Sequence, residues 1–198
     1  MTQTTPPLSA LSTWFQYWLK DHGVLRAFWR NFHKLDDDVW RHNHPSAARL
    51  ARLQEMGAAS ILSLRGKDST HSVREAAICA DLGLEFHAIA LRAVQLPRKA
   101  ALLELLDALR DSPKPMVIHC KSGADRTGFA AIVYLHVFKG VPLAQAREQL
   151  AMKYMHNPFG RAGVVNLLLD SYAKAHAATG IGFEAWVRDV YDPEALTS

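Results

Sequence analysis

Apolar residues along this chain fall into two kinds of run, short and continuous or longer and periodic, and their alternation predicts a layered α/β architecture. Ala59-Ser60-Ile61-Leu62-Ser63-Leu64, the stretch from Leu84 to Ala90, and Pro115-Met116-Val117-Ile118-His119 read as buried strands. Segments with apolar residues near helical spacing surround them, at about 46–56, 71–82, 98–111, 127–139, 142–154, 162–177 and 183–191. Two further strand-like pieces, Phe32-His33-Lys34-Leu35 and Val39-Trp40-Arg41, flank the acidic turn Asp36-Asp37-Asp38. The order implies a single domain with a mainly parallel central sheet and helices on both faces. In such sheets ligands sit beyond the carboxyl ends of the strands, so the loops after 59–64, 84–90 and 115–119 are expected to share one rim.

The N-terminal part reads differently. Residues 1–10 are rich in Thr and Pro and are expected to be disordered, while 11–198 form one domain whose first segment, 11–31, is helical and dense in aromatics. Trp14, Trp18, Leu25, Trp29 and Phe32 fall near one helical face, with Gly23 interrupting the run. The favoured reading is a lid packed on the domain. The alternative is peripheral membrane contact, since Lys20, Arg26, Arg30 and Lys34 accompany the Trp-rich face.

Composition narrows the classes. A chain of 198 residues buries one substantial core but is short for two ordinary domains and a linker. No apolar run approaches the roughly 18 residues of a membrane span, and the first residues lack a basic segment followed by an apolar core, so no secretory signal is evident. The net charge of +4 is dispersed, not gathered into a patch interleaved with aromatics, which argues against nucleic-acid binding. Two cysteines, one of them set in reactive surroundings, imply a reducing compartment and hence the cytoplasm. Cys79, on a helical run, reads as a small buried hydrophobe, with a regulatory disulfide to Cys120 as the minority reading.

Those reactive surroundings are His119-Cys120-Lys121-Ser122-Gly123-Ala124-Asp125-Arg126-Thr127-Gly128. A strand feeding a tight Gly-containing loop that opens a helix gathers several N–H groups and the positive end of the helix dipole around one anion-sized concavity. Lys121, Ser122, Gly123, Ala124, Asp125 and Arg126 are the expected phosphate-binding positions. The same field favours a thiolate at Cys120, whose pKa is expected to drop from about 8.5 into roughly the 3.5–7.5 range. Arg126 offers a planar two-pronged donor to two phosphoryl oxygens, and the Thr127 hydroxyl faces back toward the sulfur. His119 is expected to orient the loop from outside the reacting shell.

This string resembles the Cys-x5-Arg-Ser/Thr signature of protein tyrosine and dual-specificity phosphatases. The similarity extends over roughly residues 32–175, where Val39-Trp40-Arg41-His42-Asn43-His44-Pro45, a helix and Ile61-Leu62-Ser63-Leu64-Arg65 look like the compact atypical dual-specificity phosphatases of bacteria and fungi. The resemblance implies a phospho-cysteine intermediate, a phosphorylated substrate and no metal or other cofactor.

Departure of the substrate oxygen needs a general acid. The family pattern places an Asp in the loop about thirty residues before the Cys, but that loop here, Ile89 to Pro97, carries no carboxylate. Asp125 is the preferred replacement, resembling the loop Asp of myotubularin-type lipid phosphatases, and Asp68 is the alternative. Lys67, Asp68, Arg92, His156 and Asn157 are the candidate substrate rim. Lys121, with Lys67 and Arg92, is also similar to the His-Cys-Lys start of phosphoinositide phosphatases. The readings carried forward are therefore a dual-specificity or tyrosine phosphatase, a phosphoinositide or inositol-phosphate phosphatase, and a catalytically weak phosphate-binding module.

Overall fold

The structure, a computed structural model, describes residues 31–92, 94–156 and 163–196. The expectations for residues 1–30, including the lid and the membrane-contacting helix, fall outside the described residues, as does the rim candidate Asn157.

Five strands form one sheet in the order β1 (His33–Lys34), β2 (Val39–His42), β5 (Met116–His119), β3 (Ser60–Ser63) and β4 (Glu85–Ala88). β1 pairs antiparallel with β2, and every other pairing is parallel. β5 lies between β2 and β3, with His119 opposite His42 on one side and Ser63 on the other. The α/β, mainly parallel architecture is thus as expected, with strand ends trimmed by a residue or two.

Alternation of side chains along the strands divides the core between the two faces. Trp40, Ile61 and Val117 pack with Leu50 and Leu53 of α1 (Ala47–Glu55) and Cys79 of α2 (Thr70–Asp81). Val39, Leu62, Met116 and Ile118 pack on the other face with α3 (Lys99–Asp111), α4 (Asp125–Val133), α6 (Val164–Thr179) and α7 (Phe183–Asp189). Complete burial of side chains of this size contributes about 1.5–3 kcal/mol each. That sum fixes both strand register and the position of β5, and β5 carries the site.

Helix ends follow local chemistry. Ser46 caps α1 by accepting from the Arg49 amide, and Ser69 caps α2 by accepting from Ser72. α4 begins at Asp125, two residues before the sequence pattern places it, because its first turn carries the polar residues of the loop and only later turns are apolar. It continues as a π-helical stretch, Tyr134–Phe138.

The single helix expected over 142–154 is instead α5 (Leu143–Ala146) followed by 3-10 turns at Arg147–Leu150 and Met152–Tyr154. Three observations accompany the break. Ala151 is extended and Met155 is left-handed at φ 64°, and the Gln149 carbonyl is taken by the Arg41 guanidinium at 2.9 Å. The acidic turn before β2 is tied down locally: Asp36 accepts from the Asp38 and Val39 amides and from the Tyr134 hydroxyl, while Lys139 lies 3.1 Å from Asp36 and 2.8 Å from Asp38.

Candidate active site

β5 ends at His119, the chain turns through Cys120 to Ala124, and α4 starts at Asp125. This strand, loop and helix curl around the Cys120 sulfur, which sits at the base of the loop with only 2% of the residue exposed. The Gly123 amide donates to Sγ at 3.3 Å. Burial is the largest influence on this thiol and pushes its pKa up. The Arg126 charge, the Thr127 hydroxyl and amide, and the Gly123 amide together outweigh it and hold the thiol below its ordinary value.

Gly123 has φ 75°, and a Cβ there would stand 2.8 Å from the His42 carbonyl oxygen and 2.9 Å from the Asn43 nitrogen. The loop closes this tightly only with glycine. Gly128, in the first turns of α4, is required for another reason: a Cβ would meet the Gln149 carbonyl at 2.7 Å, where the 3-10 turn presses on the helix. No side chain caps α4 at Ala124, in contrast with the serine caps of α1 and α2, and the helix N-terminus faces the loop.

Arg126 sits in the first turn of α4, and its Nη1 donates to the carbonyls of Leu64 (3.1 Å) and Leu91 (3.3 Å). One guanidinium therefore joins the loops after β3 and β4 to the loop after β5, so the three loops do share a rim. Thr127 is fully buried beside the sulfur. Lys121 and Ser122 are half-buried, Ala124 is buried, and the Ser122 hydroxyl accepts from the Ala124 amide at 3.4 Å.

Other expected residues stand elsewhere. His156 is not a rim residue: it is 3% exposed, and its Nδ1 lies 2.6 Å from Oδ1 of Asp125, whose side chain is 26% exposed. Met155, just before it, adopts the left-handed conformation. Lys67 is exposed and directed to Glu104 of α3 at 3.3 Å, and Arg92 binds Gln95 at 2.7 Å within an exposed loop. Asp68 is exposed in the loop between β3 and α2.

Two structural supports escape the sequence pattern. Arg41, on β2, is completely buried; its Nη2 donates to the Gly123 carbonyl at 2.6 Å, its Nη1 donates to Gln149, and the Tyr154 ring covers it with the guanidinium carbon 3.8 Å from the centroid. Burial lowers its pKa to about 10, opposed by the nearby Tyr154 and Cys120. Asn31 donates to the carbonyls of Ser122 (3.1 Å) and Tyr154 (3.0 Å). An arginine inside an otherwise apolar strand was the only sequence signal for either of these.

Behind the loop, His44, Glu75 and His119 gather with their ligating atoms within 4.8 Å of one another. His119 Nε2 lies 2.9 Å from Glu75 Oε1 without hydrogen-bond geometry between them, closer than the roughly 3.3 Å between ligands at the zinc distances of a tetrahedral site. Cys79 is fully buried, and burial together with Glu75 pushes its thiol up to about 12. Both cysteines are free.

Comparison with known proteins bears on the family and the fold. A family model described as "Polymorphic toxin system, DSP-PTPase phosphatase" matches residues 37–140. No curated protein sequence matches the chain. Among solved structures, TpbA of P. aeruginosa is similar at TM-score 0.56 and 22% identity, with 75% of this chain and 91% of that chain covered. A second structure of TpbA, in complex with pTyr, covers 72% and 90% at TM-score 0.53 and 21% identity. The core catalytic domain of the PP-IP phosphatase SIW14 from S. cerevisiae, in complex with citrate, is similar at TM-score 0.57 and 16% identity, covering 75% and 94%.

Proposed function

The chain belongs to the DSP-PTPase phosphatase family of polymorphic toxin systems, and from that premise we propose that this phosphatase hydrolyses phosphomonoesters through a phospho-Cys120 intermediate. The observation that carries the reading is the thiol of Cys120, buried at the base of an anion-binding loop and held toward the thiolate by Arg126, Thr127 and the Gly123 amide.

The thiolate attacks phosphorus, and the bond from phosphorus to the ester oxygen breaks. Arg126 and the amides of the loop stabilise the charge on the equatorial oxygens. The departing oxygen takes a proton from the Asp125 carboxyl, which is aligned by His156. In the second step Asp125 removes a proton from water, the water oxygen forms the new bond to phosphorus, and the sulfur leaves as thiolate with support from the Thr127 hydroxyl. The need of Cys120 for a reducing compartment supports a cytoplasmic location. Among the described residues no helix is long and apolar enough to cross a membrane.

The loop supports a substrate that presents a phosphoryl group. A phosphorylated tyrosine side chain and a phosphorylated inositol both present a phosphoryl group to such a loop, and the names of TpbA bound to pTyr and of SIW14 support one each. A phosphate-release screen over phosphopeptides, phosphoinositides and inositol phosphates separates them. The mechanism itself is tested with Cys120→Ser: phosphate or vanadate binding persists, turnover disappears, and rapid acid quench of the native chain with an aryl phosphate yields a phosphorylated Cys120 peptide. Turnover by Cys120→Ser near the native rate overturns the covalent route, and so does retained binding in a native chain that never turns over.

A further inference from the structure

β4 ends the sheet: β3 pairs with it on one side and, among the described residues, no strand pairs with it on the other. The parallel register decides which backbone groups are left over. The amides of Glu85 and Ile89 donate to the carbonyls of Ala59 and Ser63, so by the alternation of an extended chain the N–H and C=O groups of Phe86 and Ala88 point away from β3. They form an open edge, and such an edge is a template for one more strand.

The edge forms the floor of a cleft of about 670 Å³ between α2 and α3, and the two walls differ in chemistry. On the α2 side stand Val73, which is 64% exposed, Ala76 and the ring of Phe86, which shares its sheet face with Ile61 and Cys79. On the α3 side stand Glu104, Asp107 and Asp111, and Glu85 projects from the same face of β4 as His87, the register partner of Leu62 on that side of the sheet. Lys67 offsets Glu104 at 3.3 Å, His87 lies 2.5 Å from Glu85, and Arg110, which does not line the cleft, reaches Asp107 at 3.0 Å. The wall remains acidic in a chain whose net charge is +4. At the end of α3, Ser112 also lines the cleft; it is 5% exposed and its hydroxyl has no hydrogen-bond partner. A buried hydroxyl left unpaired is costly, and an incoming polar group relieves it.

An open strand edge between an apolar and an acidic wall selects its occupant. A segment extended beside Phe86 and Ala88 turns alternate side chains to opposite walls, so it matches the cleft with apolar residues toward α2 and Lys or Arg toward α3. The edge from Glu85 to Ile89 is about 16 Å long, which about five to seven residues cover. A second copy of β4 is a poor occupant, because edge-to-edge pairing brings its own Glu85 among the carboxylates of the acidic wall.

We infer that the cleft beside β4 is a docking groove for an extended segment of a protein partner, with basic and apolar residues in alternation, which joins the sheet as one further strand. The backbone groups of Phe86 and Ala88 supply affinity without regard to sequence, while Asp107, Asp111 and Glu104 select the basic residues and Val73, Ala76 and Phe86 the apolar ones. None of the lining residues belongs to the loop from His119 to Gly128, so the groove stands or falls independently of the chemistry at Cys120.

The test uses the full chain and a fluorescein-labelled heptapeptide of alternating lysine and valine, read by fluorescence polarisation. Two controls carry the same residues in blocks, or glutamate in place of lysine, and both are expected to bind roughly tenfold more weakly or worse. Two more carry N-methyl groups on one or the other alternate set of peptide nitrogens. Only one set faces the edge of β4, so one of this pair binds like the parent and the other roughly tenfold more weakly. Asp107→Asn with Asp111→Asn weakens the parent peptide roughly fivefold and leaves aryl phosphate turnover unchanged. Vanadate does not compete, and the amide signals of Phe86 and Ala88 shift on peptide addition. If both N-methylated peptides bind like the parent, or the double variant binds as the native chain does, the acids are a solvated face and the inference falls. It falls also if vanadate displaces the peptide, which places binding at the anion loop, or if the chain forms a dimer that the peptide dissociates, since a second copy then fills the edge. Should the double variant not fold, the N-methylated pair decides on the native chain.

Discussion

The Arg41 guanidinium donates through Nη2 to the Gly123 carbonyl at 2.6 Å, so a fully buried cation on β2 grips the anion loop from behind. Its Nη1 holds Gln149, and the Tyr154 ring covers its face. A planar fork is required to reach both sites at once, and lysine cannot supply it. Arg41→Lys is therefore expected to lower stability by about 2–4 kcal/mol, since hydrogen bonds from charged groups contribute about 1.5–3 kcal/mol each and a carbonyl is left unpaired. Urea unfolding measures the loss, and vanadate affinity falls with it. An unchanged unfolding midpoint removes Arg41 from the support of the loop.

Gly123→Ala confronts two obstacles, a positive φ and a Cβ 2.8 Å from the His42 carbonyl. Strain of a residue held in the left-handed region costs about 1–3 kcal/mol before the clash is counted. The loop is expected to open instead of accepting the methyl group, with turnover reduced at least a hundredfold while far-UV circular dichroism stays native. Gly180→Ala, also at positive φ but with open space around its Cβ position, leaves turnover unchanged.

Acid is expected to destabilise the fold well before its carboxylates protonate. His42 and His44 are buried, and their pKa values sit at about 4 against 6.5 in the unfolded chain. Between those values the unfolded chain binds more protons, so the stabilisation present above pH 6.5 is lost as the pH falls toward 4. Melting temperature read from pH 7.5 down to 4 shows the slope. His42→Gln flattens it, and a slope identical to native in that variant contradicts the assignment.

Asp125 and His156 predict a leaving-group signature. A general acid matters most when the leaving group is poor, so Asp125→Asn slows phenyl phosphate about a hundredfold and a nitrophenyl ester far less. Its pH profile loses the alkaline limb and keeps the acidic limb of the Cys120 and phosphate ionisations. His156→Gln shows the same contrast to a smaller extent, because it misaligns the carboxylate without removing it. If Asp68→Asn carries the contrast and Asp125→Asn only lowers the melting temperature, Asp68 is the acid and the Asp125–His156 pair, 2.6 Å apart, is structural.

The sheet and the loop were legible in sequence for the same reason: both are written in short-range order. Alternating apolar runs fix strand and helix periods, and Cys120, Gly123 and Arg126 lie close together in the chain, so local geometry brings them around one loop. Boundaries were less legible where polar residues begin a helix, as at Asp125, or where a distant group claims a carbonyl, as Arg41 does in the expected helix over 142–154.

The supports of the loop had no such order. Arg41 reaches Gly123 across 82 residues of chain and Asn31 reaches Ser122 across 91. Each is a polar residue at a position where the local pattern is equally consistent with exposure, and only packing decides that water is excluded there. The sequence by itself therefore determined the fold class and the local strand, loop and helix that carry the candidate site. The tertiary structure decided which buried polar groups hold that loop in place, because the energy of a buried polar group depends on partners that no local spacing specifies.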